Sequence, residues 1–402
     1  MLTDTLSATN PMPNDPILGL NELYKQDSRP QKVNLGVGIY LDAQGQLPLL
    51  KTVETAERRL VDRKTTHGYI PMSGMPDYLA AVQRLAFGSE ILESYQGRIA
   101  SCQTLGGTGG LHIGGLLAHE VFGVKQALVP NPTWGNHVAI MKRAGMIVDT
   151  YPYYCFETKC LDFEHMLENL KRLAPQTLLV MHACCHNPTG LDLSEEQWTR
   201  ILEVIEERDL LPFLDMAYQG FGSGLSDDAN VVRRFVKAEL PVMVAQSNSK
   251  NFSLYGERVG ALHVIAPTEE SAQNIASQLA SLVRSEYSNA PCHGARVVTE
   301  ILNTPELFTS WTQEVDAMRD RIRQMRQALY EAGARYGEDF EYVIAQKGMF
   351  SFTGLSPLQM RALREEYAVY GIENGRICIA GLNENNVDYV AKSLAAVSKT
   401  VK

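Results

Sequence analysis

Lys250 stands in the segment Ser247-Asn248-Ser249-Lys250-Asn251-Phe252, and Arg258 follows eight residues after it. An apolar run precedes the lysine, so its amine is expected where solvent is limited. A desolvated lysine loses basicity and becomes a nucleophile suited to forming a Schiff base with a carbonyl. A surface lysine after a strand is the plain alternative for this segment alone. Ser247, Ser249 and Arg258 shift the balance, because two hydroxyls and a forked guanidinium around one lysine suit a phosphate. Three more segments offer matching parts. Leu105-Gly106-Gly107-Thr108-Gly109-Gly110 leads into a helix expected through Leu111 to Phe122. Its glycines admit close backbone approach, and a helix N-terminus presents free N–H groups to an anion. By itself such a run is mostly just a turn. Phe213-Leu214-Asp215-Met216-Ala217-Tyr218 ends a buried strand at Asp215, where an unpaired carboxylate is costly and calls for a cation. A protonated pyridine nitrogen and a structural arginine are both candidates. His186-Asn187-Pro188-Thr189-Gly190 is turn chemistry that also leaves Asn187 as a side-chain donor at a strand end.

Together these segments supply a lysine for an imine, an acid for a ring nitrogen, and Tyr218 and Asn187 as donors to a phenolic oxygen. They also supply a phosphate cup. Those are the requirements of pyridoxal 5′-phosphate. Competing motifs fail. His119-Glu120-Val121-Phe122-Gly123 lacks the second histidine of HExxH, and Gly222-Ser223-Gly224 lacks the glycine that a nucleophile elbow needs two residues before its serine. There is no GxxxxGK[ST], and Gly106–Gly110 does not fit GxGxxG. His182-Ala183-Cys184-Cys185-His186 holds soft zinc ligands. Successive strand positions spread such ligands apart, so no metal is expected. A zinc-dependent hydrolase using His182 and His186 is kept as the reading from another class.

These groups need elements to position them. At roughly 150 residues per domain, 402 residues suggest two domains or one large one. Strand-like runs fall at 127–130, 146–151, 178–182, 211–215, 242–246 and 261–266, with helix-length segments between several of them. In the clearest helix, 194–208, Ser194 is placed to cap the N-terminus with Gln197 three residues on, while Trp198, Ile201, Leu202 and Ile205 line one face. Such alternation predicts an α/β fold with a mostly parallel sheet, ligands binding beyond its strand C-termini. We expect an arm over 1–15, a large domain over 46–310, and a smaller α+β domain from 16–45 with 311–402. The last should hold a long helix from Trp311 to Gly333, a helix over 357–370, and strands near 349–352 and 376–380.

Composition narrows the partners. Lys+Arg 37 against Asp+Glu 46 leaves a net charge of −9, which argues against nucleic acid and against polybasic membrane contact. No stretch approaches the roughly 20 apolar residues of a membrane span. The start, with no basic n-region or apolar core, does not read as a signal peptide. Seven scattered cysteines point to a reducing cytoplasm.

The chain resembles the fold-type I aminotransferases of the aspartate and aromatic aminotransferase family, nearly end to end. The matching segments are Val33-Asn34-Leu35-Gly36-Val37-Gly38, Asn131-Pro132-Thr133-Trp134-Gly135-Asn136-His137 and His186-Asn187-Pro188-Thr189-Gly190. They continue with Ser249 through Gly260, Tyr287-Ser288-Asn289 and Gly348-Met349-Phe350-Ser351-Phe352. Two positions depart from the family pattern: Asn248, where an aromatic residue is usual, and Ala290, in a segment that usually reads Asn-Pro-Pro. The resemblance implies that Lys250 forms the cofactor imine and then shuttles the substrate proton. It implies that Asp215, backed by His137, pairs with the ring nitrogen, that Tyr218 and Asn187 bond the phenolic oxygen, and that Trp134 stacks on the ring. Gly107, Thr108, Ser247, Ser249, Arg258 and a neighbouring subunit's Tyr69 would hold the phosphate. Arg376 would clamp the substrate α-carboxylate and a neighbour's Arg284 a distal one, with Gly38 and Phe350 also at the substrate. Ile17, Leu18 and Ile39 could supply an apolar wall. Sites shared in this way imply an obligate homodimer. The implied substrates are amino acids and 2-oxo acids: phenylalanine, tyrosine, tryptophan or aspartate with 2-oxoglutarate, in ping-pong order. The wording at Gln103–Gly107, Phe252–Arg258 and Ala380–Asn383 sits closer to the bacterial aromatic branch. Strict aspartate transamination is the alternative, and a cofactor-bearing regulator or lyase a more remote one.

Overall fold

The computed structural model describes residues 2–11 and 18–400. A seven-stranded sheet runs in the order Ile99–Leu105, Val259–Ile265, Val242–Ser247, Leu211–Met216, Leu178–His182, Gln126–Asn131, Ile147–Pro152. Only Val259–Ile265 runs against the rest. Leu178–His182, Val242–Ser247 and Val259–Ile265 are buried at every position, as a sheet covered on both faces requires. Alternation sorts their side chains between two layers. Leu179, Met181 and Leu214 pack with Trp198, Ile201 and Phe235 on one side. Val180, Phe213 and Met243 pack with Leu111, Met141 and Leu279 on the other. Register sets Asp215 beside His182 and Ala245, and Gly260 beside Ser247, so the functional strand ends lie along one edge.

The helix Glu195–Glu207 forms as its capping signal predicts: Gln197 N–H donates to Ser194 Oγ at 3.2 Å, and Ser194 N–H to Gln197 Oε1 at 2.9 Å. Other bounds differ. The helix expected from Leu111 begins at Gly106, whose φ of 66° turns the chain sharply out of the strand, and it runs to Leu116 before a wider turn over Leu117–Val121. The helix expected over 357–370 stops at Tyr367. Ala368 adopts a left-handed φ of 52°, and Val369–Tyr370 then pairs in parallel with Val33–Asn34. Phe350–Phe352 pairs with Arg376–Cys378 in a second ribbon. The long helix covers Pro305–Arg335, so position 310 falls inside one continuous element. Leu2–Ser7 is helical, and Leu2 and Leu6 are exposed.

Trp311, fully buried on the long helix, stacks on Phe252 with ring centroids 4.3 Å apart and donates its indole N–H to Asn251 C=O at 2.8 Å. The helix thereby fixes the two residues that follow Lys250. Among the described residues no helix is long and apolar enough to cross a membrane.

Candidate active site

At the C-terminal edge of the sheet a cavity of about 110 Å³ is lined by Gly107, Thr108, Trp134, Asn187, Asp215, Tyr218, Ser247, Ser249, Lys250 and Arg258. Ten of the residues singled out above thus meet in one space, drawn from five segments. A larger cavity of about 840 Å³ shares Trp134 and Asn187 with it and adds Arg376.

Lys250 lies near the start of the loop that follows Val242–Ser247. Its Nζ sits 4.7 Å from the Tyr218 ring centroid. Burial lowers its pKa to about 8; the Asp215 carboxylate works against that fall, while Arg258 and Arg376 add to it. Asp215 is itself buried. Burial pushes its pKa up, but the hydrogen bond and charge of His137 outweigh that and hold it below the usual carboxylate value. His137 Nε2 and Asp215 Oδ2 are 3.0 Å apart, and Thr133 Oγ1 meets the other ring nitrogen at 2.8 Å. Asp215 Oδ1 has no partner. A buried, unpaired carboxylate oxygen in such a cavity is expensive unless a ligand N–H meets it.

Opposite Asp215, Asn187 Nδ2 donates to Tyr218 Oη at 3.3 Å, and burial pushes the Tyr218 phenol up. Asn187 Oδ1 accepts from Arg376 at 3.2 Å, and Gly36 C=O accepts from the other end of the same guanidinium at 2.8 Å. Arg376 lies over the Phe350 ring at 4.3 Å, with its Nε unpaired and buried. Phe350 also meets Tyr218 edge to face at 5.7 Å. Gly38 packs so closely on this ring that a β-carbon there would lie 2.8 Å from it. Ile39 is partly buried beside them, its carbonyl 3.5 Å from Cys378 Sγ.

The anion end is a cup. Ser247 Oγ lies 3.2 Å from Ser249 Oγ, Arg258 donates to Ser249 Oγ at 3.4 Å, and the Gly106–Leu116 helix opens its N-terminus beside them. Gly107 faces Ser247 with room for little more than hydrogen, since an added β-carbon would sit 3.1 Å from that of Ser247. The unpaired acid, the amine, the phenol–amide pair and the cup fit pyridoxal phosphate group by group.

Not every expected residue lies here. Tyr69 is 96% exposed and Arg284 is exposed, bonded to Ser288 at 2.6 Å; neither lines a cavity of its own chain's site. Ile17 lies outside the described residues, as does the side chain of Leu18. His182 and His186 lie side by side, ring centroids 4.5 Å apart. His186 is taken up by Thr189 at 2.8 Å and stacks on Tyr153, while His182 groups instead with His137 and Asp215. The two histidines named for a zinc hydrolase thus belong to different groups of side chains. Sequence reasoning gave no role to Tyr255 and Thr133. Tyr255 lines the cavity and accepts from Tyr40 N–H at 2.9 Å. Both stand inside the quoted motifs, which was the available signal.

Comparison with known proteins adds an independent line. The family described as aminotransferase class I and II matches residues 30–394. An aromatic-amino-acid aminotransferase from Escherichia coli (strain K12) is 46% identical over 388 residues, 95% of this chain and 97% of the relative. An aspartate aminotransferase from Pseudomonas aeruginosa is 42% identical over 393 residues, 97% of this chain and 99% of the relative. Among solved structures, an aromatic-amino-acid aminotransferase from Burkholderia pseudomallei covalently bound to pyridoxal phosphate is similar at 46% identity and a TM-score of 0.95, covering 98% of this chain and 99% of that one.

Proposed function

The chain belongs to the class I and II aminotransferases, and on that premise we propose that it carries the amino group of phenylalanine, tyrosine, tryptophan or aspartate to 2-oxoglutarate. The products are the 2-oxo acid and glutamate, formed in ping-pong order on one site. It is a transaminase, and its cofactor is pyridoxal 5′-phosphate. The observation that carries this reading is the lysine of lowered basicity sharing one small cavity with an unpaired buried carboxylate oxygen and a phosphate cup. Strict aspartate transamination is the second reading, supported by the aspartate aminotransferase among the relatives.

When bound, pyridoxal phosphate supplies a conjugated ring that delocalises the electron pair left on the substrate α-carbon. Asp215 Oδ1, with His137 fixing the other oxygen, would hold the ring nitrogen protonated. Tyr218 and Asn187 would hold the phenolic oxygen and Trp134 the ring face. Gly107, Thr108, Ser247, Ser249 and Arg258 would hold the phosphate, joined by Tyr69 of the partner subunit. Lys250 Nζ, partly neutral near pH 8, takes the proton from the substrate α-carbon as general base. Arg376, with an unpaired Nε, binds the α-carboxylate as a fork. Arg284 of the partner subunit would meet a distal carboxylate. Gly38, Ile39 and Phe350 would wall the substrate, together with Ile17 and Leu18.

An obligate homodimer follows from that sharing. Its support in this chain is the exposure of the apolar side chains of Leu47, Leu49, Val61, Tyr69 and Met72, all between positions 47 and 72. Seven free cysteines and the net charge of −9 support a reducing, cytoplasmic setting. The division into an arm over 1–15, a large domain over 46–310 and a small domain from 16–45 with 311–402 is proposed alongside, supported by the pairing of Val33–Asn34 with Val369–Tyr370.

The test is kcat/KM of the holoenzyme for phenylalanine, tyrosine and aspartate, each with 2-oxoglutarate. Turnover of all three is expected. Turnover of aspartate alone would favour the strict reading, and turnover of none would overturn both.

A further inference from the structure

Gln103 has no place in the cavity, yet all four of its hydrogen-bonding groups are engaged and it is 1% exposed. It sits on Ile99–Leu105, the strand at the edge of the large sheet. Its backbone N–H donates to Ser73 C=O at 2.8 Å, and its side-chain Oε1 accepts from Met75 N–H at 3.1 Å. Its side-chain Nε2 donates to Pro291 C=O at 2.8 Å, and its backbone C=O accepts from Tyr287 Oη at 3.1 Å. Two bonds therefore go to the segment that follows Tyr69, and two to the segment that follows Arg284. Gly74 packs on the Gln103 side chain with a φ of 103°, so closely that a β-carbon would lie 2.3 Å from its own. The far end of the first segment is tied as well: Arg296 donates to Thr65 Oγ1 at 3.2 Å and to Thr66 C=O at 2.9 Å. Between these ties Tyr69 projects into solvent at 96% exposure.

We infer that Gln103 is a positioning residue acting in trans: it braces against one strand the two segments that this chain supplies to its partner's site. The inference rests on the shared-site reading above. An edge strand leaves backbone groups open, and here they are used as anchors rather than left exposed. A single amide that accepts from one segment and donates to the other fixes their spacing, and with it the spacing of a phosphate contact and a distal-carboxylate contact. Its loss should act on the other subunit's chemistry and spare its own.

Hybrid dimers of two differently tagged chains, purified as holoenzyme, test this. In the first hybrid one chain carries Lys250→Ala with Gln103→Met and the other is wild type. The one working lysine then depends on segments supplied by the Gln103→Met chain. In the second hybrid the two substitutions sit on different chains, so the working lysine lies in the Gln103→Met chain and receives intact segments. Relative to a Lys250→Ala/wild-type hybrid, the first should lose on the order of tenfold to a hundredfold in kcat/KM for 2-oxoglutarate, mostly through KM. The second should stay within about twofold. Equal losses, or the reverse order, would overturn the inference, since a general role in stability cannot tell the two arrangements apart. The same pair built with Arg284→Ala tests the sharing itself. If that pair shows no trans effect, or if the chains form no dimers, the shared-site reading falls and the inference with it. If it does while the Gln103 pair does not, only the inference falls. Should the Gln103→Met chain fail to fold, Gln103→Glu keeps the acceptor toward Met75 and removes the donor toward Pro291. The same trans pattern is expected from it, and its absence would overturn the inference equally.

Discussion

Lys250 carries an amine on which opposite charges pull. Burial, Arg258 and Arg376 lower its proton affinity, and Asp215 raises it. Only the neutral amine reacts with an acylating reagent, so labelling of Lys250 in cofactor-free protein should rise with pH through a midpoint near 8. In Asp215→Asn the opposing charge is gone, and the midpoint should move lower. Mass spectrometry of the Lys250 peptide across pH reads both. A midpoint near the ordinary lysine value of 10.5 would mean that the amine is solvated. The same substitution should leave the fold intact and cut transamination on the order of a hundredfold or more, because an amide cannot hold a ring nitrogen protonated. A loss of two- or threefold would make Asp215 a structural carboxylate held by His137.

The phosphate cup is an element-scale construction, a strand end turned sharply into a helix start. Gly106 makes that turn at a φ of 66°, and a β-carbon there would lie 2.6 Å from the Arg258 guanidinium. Gly106→Ala should therefore strain the backbone by about 1–3 kcal/mol and push Arg258 away from Ser249. Titrating cofactor-free protein with pyridoxal phosphate should show roughly tenfold or more weaker binding, and an unchanged Kd would show that the cup tolerates the shift. Much of this edge was legible in the sequence. The strands ending near Asp215, His182 and Ser247 are continuous apolar runs that break into polar residues, so both the strand and its functional end are visible. Ile99–Leu105 was not visible, because its Ser101 and Gln103 interrupt the apolar pattern. Those side chains are satisfied by His263 and Gln83, and by Met75 and Pro291, partners far away in sequence. Helix ends slipped where tertiary pairing outweighed local preference, as at Val369–Tyr370, which leaves its helix to join Val33–Asn34.

For the molecule as a whole, Tyr69 and Arg284 line no cavity of their own chain's site, and the proposed shared site places them in a partner's. Sedimentation should give a particle of twice 44.6 kDa; a monomer that still turns over would remove the shared site. Arg284→Ala should then divide the substrates. With aspartate the half-reaction loses a charge-assisted bond, roughly tenfold to a hundredfold in rate over affinity, while the phenylalanine half-reaction changes little. Equal losses in stopped-flow would mean that Arg284 supports structure instead. We propose that transamination by this protein runs through Lys250. The most direct test is single-turnover conversion of phenylalanine and of aspartate by purified Lys250→Ala protein loaded with pyridoxal phosphate, beside wild type. Cofactor should still be retained through the cup, and 2-oxo acid formation should fall to background. Conversion at a near-normal rate would contradict the claim.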